Sequence, residues 1–219
     1  MSAQSYFSTR IVSIWQTRGG FGFFRFLMTR FLRTQSDMVF ERNLLEPEPP
    51  PTFGSDRQII VIERDNLDQP DLEDVVAQLL EAESSIYRAG LEHDDIAFAV
   101  IDEKRQLLHR SFVQFETRYK TLLGETDDVP LLTNCHTVPT ARGERLYPKT
   151  LLHAGALLAE RGYDRMIITC DERNQASIRG IIRGGFQQKR VIQSLVILAR
   201  FALQKIADEH DVRWRLVCL

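Results

Sequence analysis

A chain of 219 residues, 43% hydrophobic and 26% charged, is long enough to bury a core without disulfides and suits one domain with an appendage. A net charge of −2 and a pI near 6.2 exclude the global basic field expected of a nucleic-acid-binding domain. Cys135, Cys170 and Cys218 are too few for a disulfide framework and have no zinc spacing, and the five histidines are scattered, so a reduced, cytoplasmic, metal-free protein is the expectation.

Residues 1–36 carry Arg10, Arg18, Arg25, Arg30 and Arg33 and no acid, a charge of +5, which leaves −7 on the remainder (−2 − 5). Wound as a helix, residues 21–33 put Phe21, Phe24, Leu27, Met28, Phe31 and Leu32 on one arc, with the arginines largely on the other. Such a basic amphipathic arm suits an anionic membrane surface, the chain's own domain, or a second subunit in a homodimer. Its apolar run is broken by Arg25 and Arg30 and has no small-residue cleavage site, so it is a poor secretory signal. No stretch reaches the roughly 18 apolar residues of a membrane span. The stiff segment Glu46-Pro47-Glu48-Pro49-Pro50-Pro51 follows. The expected division is an arm over 1–36 and a main domain over 37–219, with Met38-Val39-Phe40 suited to a first strand.

Ile59 to Ile62 reads as a strand. Asp71 is placed to cap a helix to about Ala89, with Val75, Val76, Leu79, Leu80, Ala82, Ile86 and Tyr87 at helical spacing. Ile96–Ile101 and Leu107–Phe115 form a hairpin around the polar turn Asp102-Glu103-Lys104-Arg105. Thr117 to Pro130 reads as a mostly polar loop, and Leu131 to Val138 resumes strand character. Tyr147–Arg161 is helical, with Pro148 in the first turn and Gly162 as its stop. Arg165–Cys170 is a strand, and Asn174 caps a short helix ending at Gly184-Gly185. Val191–Leu198 is another strand, and Phe201–Asp208 suits either a helix or a final hairpin.

Two segments carry chemistry. In Thr137-Val138-Pro139-Thr140-Ala141-Arg142-Gly143-Glu144-Arg145-Leu146-Tyr147-Pro148 a strand ends, a turn holds Arg142-Gly143, and a helix opens. A helix N-terminus presents unpaired N–H groups and a positive dipole end, which suits a pyrophosphate. The second segment is Asn174-Gln175-Ala176-Ser177-Ile178-Arg179, closed by Gly184-Gly185-Phe186. At this spacing the pair resembles the GNAT superfamily of acyl-CoA-dependent N-acyltransferases, whose pattern is V-x-P, then R-G-x-G-x-G/A opening a helix, then N-x-x-S/A and G-F. The matching residues are Val138, Pro139, Arg142 and Gly143, then Asn174, Ser177, Gly185 and Phe186.

The resemblance implies a mixed α/β fold: a mostly antiparallel sheet with a V-shaped splay, flanked by helices, here with the N-terminal basic amphipathic helix added. It implies acetyl-CoA or another short acyl-CoA as co-substrate and a small-molecule primary amine as acceptor. Backbone amides from Arg142 through Gly143, Glu144, Arg145 and Leu146 to Tyr147 would cradle the pyrophosphate. Pantetheine would pair with the splayed end of the Leu131–Val138 strand, and an N–H near Thr137 or Val138 would stabilise the oxyanion. Asn174 and Ser177 would contact pantetheine or the phosphates, although Asn174 also serves as a plain helix cap.

Three residues depart from the pattern. Arg145 replaces a glycine, Tyr147 replaces a glycine or alanine, and Ile181 stands where many members carry a proton-donating tyrosine. For the base that deprotonates the amine the candidates are His109, Glu116 and His136. His109 and Glu116 also suit solvent-facing hairpin positions, and His136 a neutral core position. The acidic run Glu125, Asp127 and Asp128 suits either attraction of a cationic amine or plain solvation. Proteins with an R-G-x-x-L-Y-P turn and a basic arm resemble those encoded with bacterial surface-polysaccharide genes, which points to an amino-sugar nucleotide by analogy. The competing reading is a GNAT-fold scaffold or sensor acting through its arm.

Overall fold

The computed structural model describes residues 32–46, 49–80, 84–197 and 201–218. The amphipathic helix expected at 21–33 therefore falls almost wholly outside the described residues. Leu32 and Arg33, its last two positions, already belong to a strand. That strand, β1, runs from Leu32 to Asn43, so residues 32–36 of the expected arm are part of the sheet.

Eight more strands follow: β2 (Arg57–Ile62), β3 (Ile96–Asp102), β4 (Leu107–Gln114), β5 (Leu131–Thr137), β6 (Arg165–Asp171), β7 (Gln187–Ile197), β8 (Phe201–Asp208) and β9 (Val212–Cys218). Among the described residues five α-helices accompany them: α1 (Glu73–Leu80), α2 (Ser84–Glu92), α3 (Arg118–Leu123), α4 (Leu146–Glu160) and α5 (Gln175–Arg183). All nine strands form one sheet in the order β2-β3-β4-β5-β6-β1-β7-β8-β9. Only β5 and β6 run parallel; every other neighbouring pair is antiparallel.

The first strand in the chain is central in the sheet. It lies between β6 and β7, pairing Asp37–Asn43 with Asp171–Arg165 and Leu32–Glu41 with Ile197–Gln187. Val39 and Phe40 are fully buried because each face of this central strand is covered. Arg42, also buried, sends its guanidinium to the carbonyl of Gly184 at the end of α5 (3.2 Å).

Alternation along the strands divides the core. Phe98, Phe40, Leu132 and Ile168 meet Leu151, Ala154 and Leu158 of α4 and Ile181 of α5. On the opposite face Ala97, Ala99 and Phe112 meet Val75, Val76 and Leu79 of α1, while Val39, Leu131 and Ile167 meet Leu123 of α3.

The helix expected from Asp71 to Ala89 is seen as α1 and α2, with residues 81–83 between them outside those described. The loop expected at Thr117–Pro130 contains α3. Thr117 Oγ1 accepts the Tyr119 N–H, and Gly124 stops the helix at φ 74°. Its acidic run is not free to meet an amine throughout: the Glu125 side chain, 4% exposed, grips Arg165 (2.9 Å) and Arg190. Phe201–Asp208 is a strand, paired to a ninth strand that the charged sequence around Trp214 conceals.

Two irregularities open the sheet where β5 ends. Asn134 and Cys135 together face Ser111 of β4, a β-bulge in which Asn134 takes φ 46°. Beyond it β5 leaves its parallel neighbour, since only Leu131↔Ile167 and Leu132↔Ile168 are paired. From Thr133 onward the β6-facing edge of β5 has no strand beside it among the described residues.

Candidate functional site

A cleft of about 480 Å³ lies at this opening, lined by the end of β5 and the first turns of α4 and α5. Its floor follows from backbone geometry. Val138 donates its N–H to Leu108 O (2.9 Å) and stands opposite it, so the intervening residue Thr137 turns its own N–H and C=O to the open edge. Thr137 O accepts from Arg142 Nε (3.3 Å) on that side. Of the two oxyanion donors expected, Val138 is therefore engaged in the ladder and Thr137 remains.

The loop into α4 supplies the anion-binding character. A 3₁₀ turn over Pro139–Ala141 is followed by Gly143 at φ 94° and Arg145 at φ 61°, the residue that opens α4. The left-handed conformation is the reason a glycine suits position 145; an arginine there costs about 1–2 kcal/mol. Among the described residues none accepts a hydrogen bond from the N–H groups of Gly143, Glu144, Arg145, Leu146 or Tyr147. Unpaired donors at a helix N-terminus suit an anion.

Arg142, Arg145, Arg179 and Arg183 line the cleft, and no carboxylate does. None of the four is ion-paired among the described residues. Arg179 and Arg183, missed in the sequence, share one face of α5 with Ala176 and Gly180, a spacing readable from Asn174 onward.

Asn174 caps α5, its Oδ1 accepting the Ser177 N–H (3.1 Å), and both residues line the cleft. Glu144 and Val138 do not. Glu144 instead pairs with Arg57 of β2 (3.2 Å), tying the loop to the sheet, and Val138 packs among Val100, Leu108, Ala141 and Leu146.

Tyr147 is set deep. Its hydroxyl lies 3.5 Å from Ser177 Oγ, its ring centroid 5.6 Å from that of His109, and burial raises its pKa. Burial also pushes the Cys135 and Cys170 thiols up to about 11, so neither is a nucleophile at neutral pH.

The three candidate bases separate. His109 is 1% exposed, with Nδ1 at 2.7 Å from Thr137 Oγ1 and Nε2 at 2.9 Å from Ser111 Oγ. Burial, with a contribution from His136, holds its pKa down to about 3. It is neither a solvent-facing residue nor a base; it fixes the end of β5. Glu116 is exposed on the β4–α3 connection and does not line the cleft. His136, expected as a core residue if not a base, is exposed on the cleft wall. Ile181 is fully buried under α5.

No family model matches the chain, and no curated protein matches its sequence. Solved structures share its architecture, and the chain spans somewhat more than half the length of several of them. The GCN5-related N-acetyltransferase of Sphaerobacter thermophilus superposes with a TM-score of 0.52 at 14% identity, over 81% of this chain and 56% of that one. A GNAT-family acetyltransferase from Novosphingobium aromaticivorans gives 0.50 at 18% identity, over 77% and 67%. A glucosamine N-acetyltransferase region in a fungal multidomain enzyme gives 0.53 at 14%, over 89% and 23%.

The chain has the GNAT fold.

In GNAT terms the splayed sheet and both motif segments are present, and the cleft is assembled from them. Among the described residues no group of three or more His, Cys, Asp or Glu gathers as a metal site, and no helix is long and apolar enough to cross a membrane.

Proposed function

We propose that this protein transfers a short acyl group, acetyl in the simplest case, from coenzyme A to a primary amine. The observation that carries the reading is the cleft itself: the unpaired backbone amides of Gly143, Arg145, Leu146 and Tyr147 and four arginines converge where the sheet opens, and no carboxylate lines it. That is a site for a multiply charged phosphate ester joined to an extended arm. The amides of Gly143 to Tyr147 would hold the pyrophosphate, and the free edge of β5 would pair with the pantetheine amides.

The thioester carbonyl would then meet the Thr137 N–H, which stabilises the oxyanion formed on amine attack. The new C–N bond forms, the C–S bond breaks and the thiolate departs. Exposed on the cleft wall, His136 is the residue best placed to accept the proton that the amine sheds. An amino-sugar acceptor is supported by the R-G-x-x-L-Y-P turn and by the glucosamine N-acetyltransferase region among the similar folds.

Stabilisation of the full chain by acetyl-CoA in a thermal melt, with thiol release on a panel of primary amines, is the expected result. Absence of CoA binding would sink the reading. A second reading, a CoA sensor, rests on Ile181 being buried where a proton-donating tyrosine would serve. It is marked by CoA binding with no thiol release from any amine.

A further inference from the structure

Among the side chains that line the cleft, Cys135, Thr137, Tyr147 and Ser177 carry an O–H or S–H group. Two of these are engaged in the wall. Thr137 Oγ1 is bonded to His109 Nδ1 at 2.7 Å, and the Cys135 thiol is turned to Thr133 O at 3.6 Å. Tyr147 and Ser177 remain, with their oxygens 3.5 Å apart. That separation is long for an O–H···O bond, so it steadies the phenol without committing its proton.

The hydroxyl stands at the fork of the sheet. Tyr147 springs from the first turn of α4 and Ser177 from the first turn of α5. The Cys135 thiol of β5 is within hydrogen-bonding reach of the Tyr147 hydroxyl, and the Cys170 thiol of β6 is within reach of Ser177. Groups from the two strands that part after Leu132 and Ile168 therefore meet around one phenolic oxygen. The tyrosine ring lies beside His109, which holds Thr137, so the hydroxyl is brought to the open edge of β5. One turn beyond Ser177, Ile181 is fully buried and carries no polar group.

We infer that Tyr147 is a catalytic residue whose O–H donates a hydrogen bond to the sulfur that leaves coenzyme A. The inference rests on the acyl-transfer reading. As the amine attacks, the C–N bond forms and the C–S bond breaks, leaving its electron pair on sulfur. The proton shed by the amine goes to His136, and the departing thiolate is protonated by water. Tyr147 keeps its own proton, because burial raises its pKa above the ordinary value of about 10. A hydrogen bond that strengthens only as charge gathers on sulfur favours the transition state over the bound thioester. The same bond stabilises the thiolate of bound CoA, a property that can be measured with no acceptor present.

Titration of the full chain with CoA and with desulfo-CoA, at several pH values from about 7 to about 9.5, tests the assignment. A free thiol ionises at about pH 8.5. In the wild type, affinity for CoA relative to desulfo-CoA should rise about five- to ten-fold over that range, the effect of one charge-assisted hydrogen bond. Tyr147→Phe keeps the ring and removes the hydroxyl. Its rise should be about three-fold smaller or less, with affinity for desulfo-CoA unchanged. The thiols of Cys135 and Cys170, pushed up to about 11, and His109, held down to about 3, keep one charge state over most of the range. His136 and the arginines at 142, 145, 179 and 183 act on wild type and variant alike. Thiolate absorbance of the wild-type CoA complex, read against the desulfo-CoA complex, gives the ionisation directly without any variant. Bound CoA that ionises no more readily than free CoA, or an equal rise in wild type and Tyr147→Phe, overturns the assignment and leaves the acyl-transfer reading in place. Binding of neither CoA nor desulfo-CoA overturns both.

Discussion

The ring of Tyr147 fills the space that a side chain at position 180 would need. A Cβ built on Gly180 would stand 2.4 Å from Tyr147 Cδ1, well inside contact distance. The bulk that α4 gains at Tyr147 is matched by its absence from α5 at Gly180. Gly180→Ala should therefore destabilise the fold by about 1–3 kcal/mol, the usual range for overpacking. Denaturant unfolding measures it, and Tyr147→Ala in the same chain should recover part of the loss. Two additive losses would show that the residues do not oppose each other.

Arg145 should reveal stability and binding moving in opposite directions. Arg145→Gly relieves a left-handed backbone costing about 1–2 kcal/mol, partly offset by the freer unfolded chain. The net gain should be at most about 1 kcal/mol. The same change removes a cation from the cleft, so CoA affinity should fall while the melting temperature rises. A lower melting temperature would mean that the arginine makes contacts outweighing the strain.

The arginines on α5 make a prediction about salt. Arg179→Gln and Arg183→Gln should each weaken CoA binding by about two- to five-fold at low ionic strength. The double variant should also show a shallower dependence of affinity on salt, because fewer screened charges face the phosphates. Titrations at several salt concentrations decide it. An unchanged slope would place the phosphates elsewhere.

His109 gives the chain an acid-sensitive element. Its folded-state pKa is lowered from 6.5 to about 3, so below 6.5 the unfolded chain takes up a proton that the folded chain refuses. The neutral, buried ring is thus fully compatible with folding above pH 6.5, and stability should decline as the pH falls from there towards 3. His109→Gln should flatten that part of the stability profile relative to wild type. The subtraction matters because carboxylates such as Asp171, held down to about 2 by Arg173, titrate lower. Identical slopes in the two proteins would show that His109 does not set the decline.

The motif segments were readable in the sequence because their demands are local. Gly143 answers a turn, Asn174 a helix start, and Pro148 the first turn of α4, each written within a few residues of where it acts. The setting of His109 is only half written beside it: Ser111 is two residues on, but Thr137 reaches it across the β4–β5 ladder. Glu125 looked like part of a solvated run, and only the meeting of Arg165 and Arg190 from β6 and β7 makes it a buried hub. Strand β9 alternates, but in the opposite sense to an ordinary half-buried strand: Val212, Trp214 and Leu216 are exposed, while Arg215 turns in to Gln204 and the Leu122 carbonyl.

The slot taken by β1 has a consequence for how the protein comes to be. Phe40 pairs with Ile168, 128 positions later (168 − 40), and Leu32 with Ile197, 165 positions later (197 − 32). A strand made before all the others described must wait for them, its apolar Val39 and Phe40 uncovered, while β2 to β5 can already pair with near neighbours. Contacts of such separation slow folding and lengthen the interval in which unpaired edges meet other chains. Removing the first 43 residues would take a stave from the middle of the sheet, and β2–β6 would lose their bond to β7–β9.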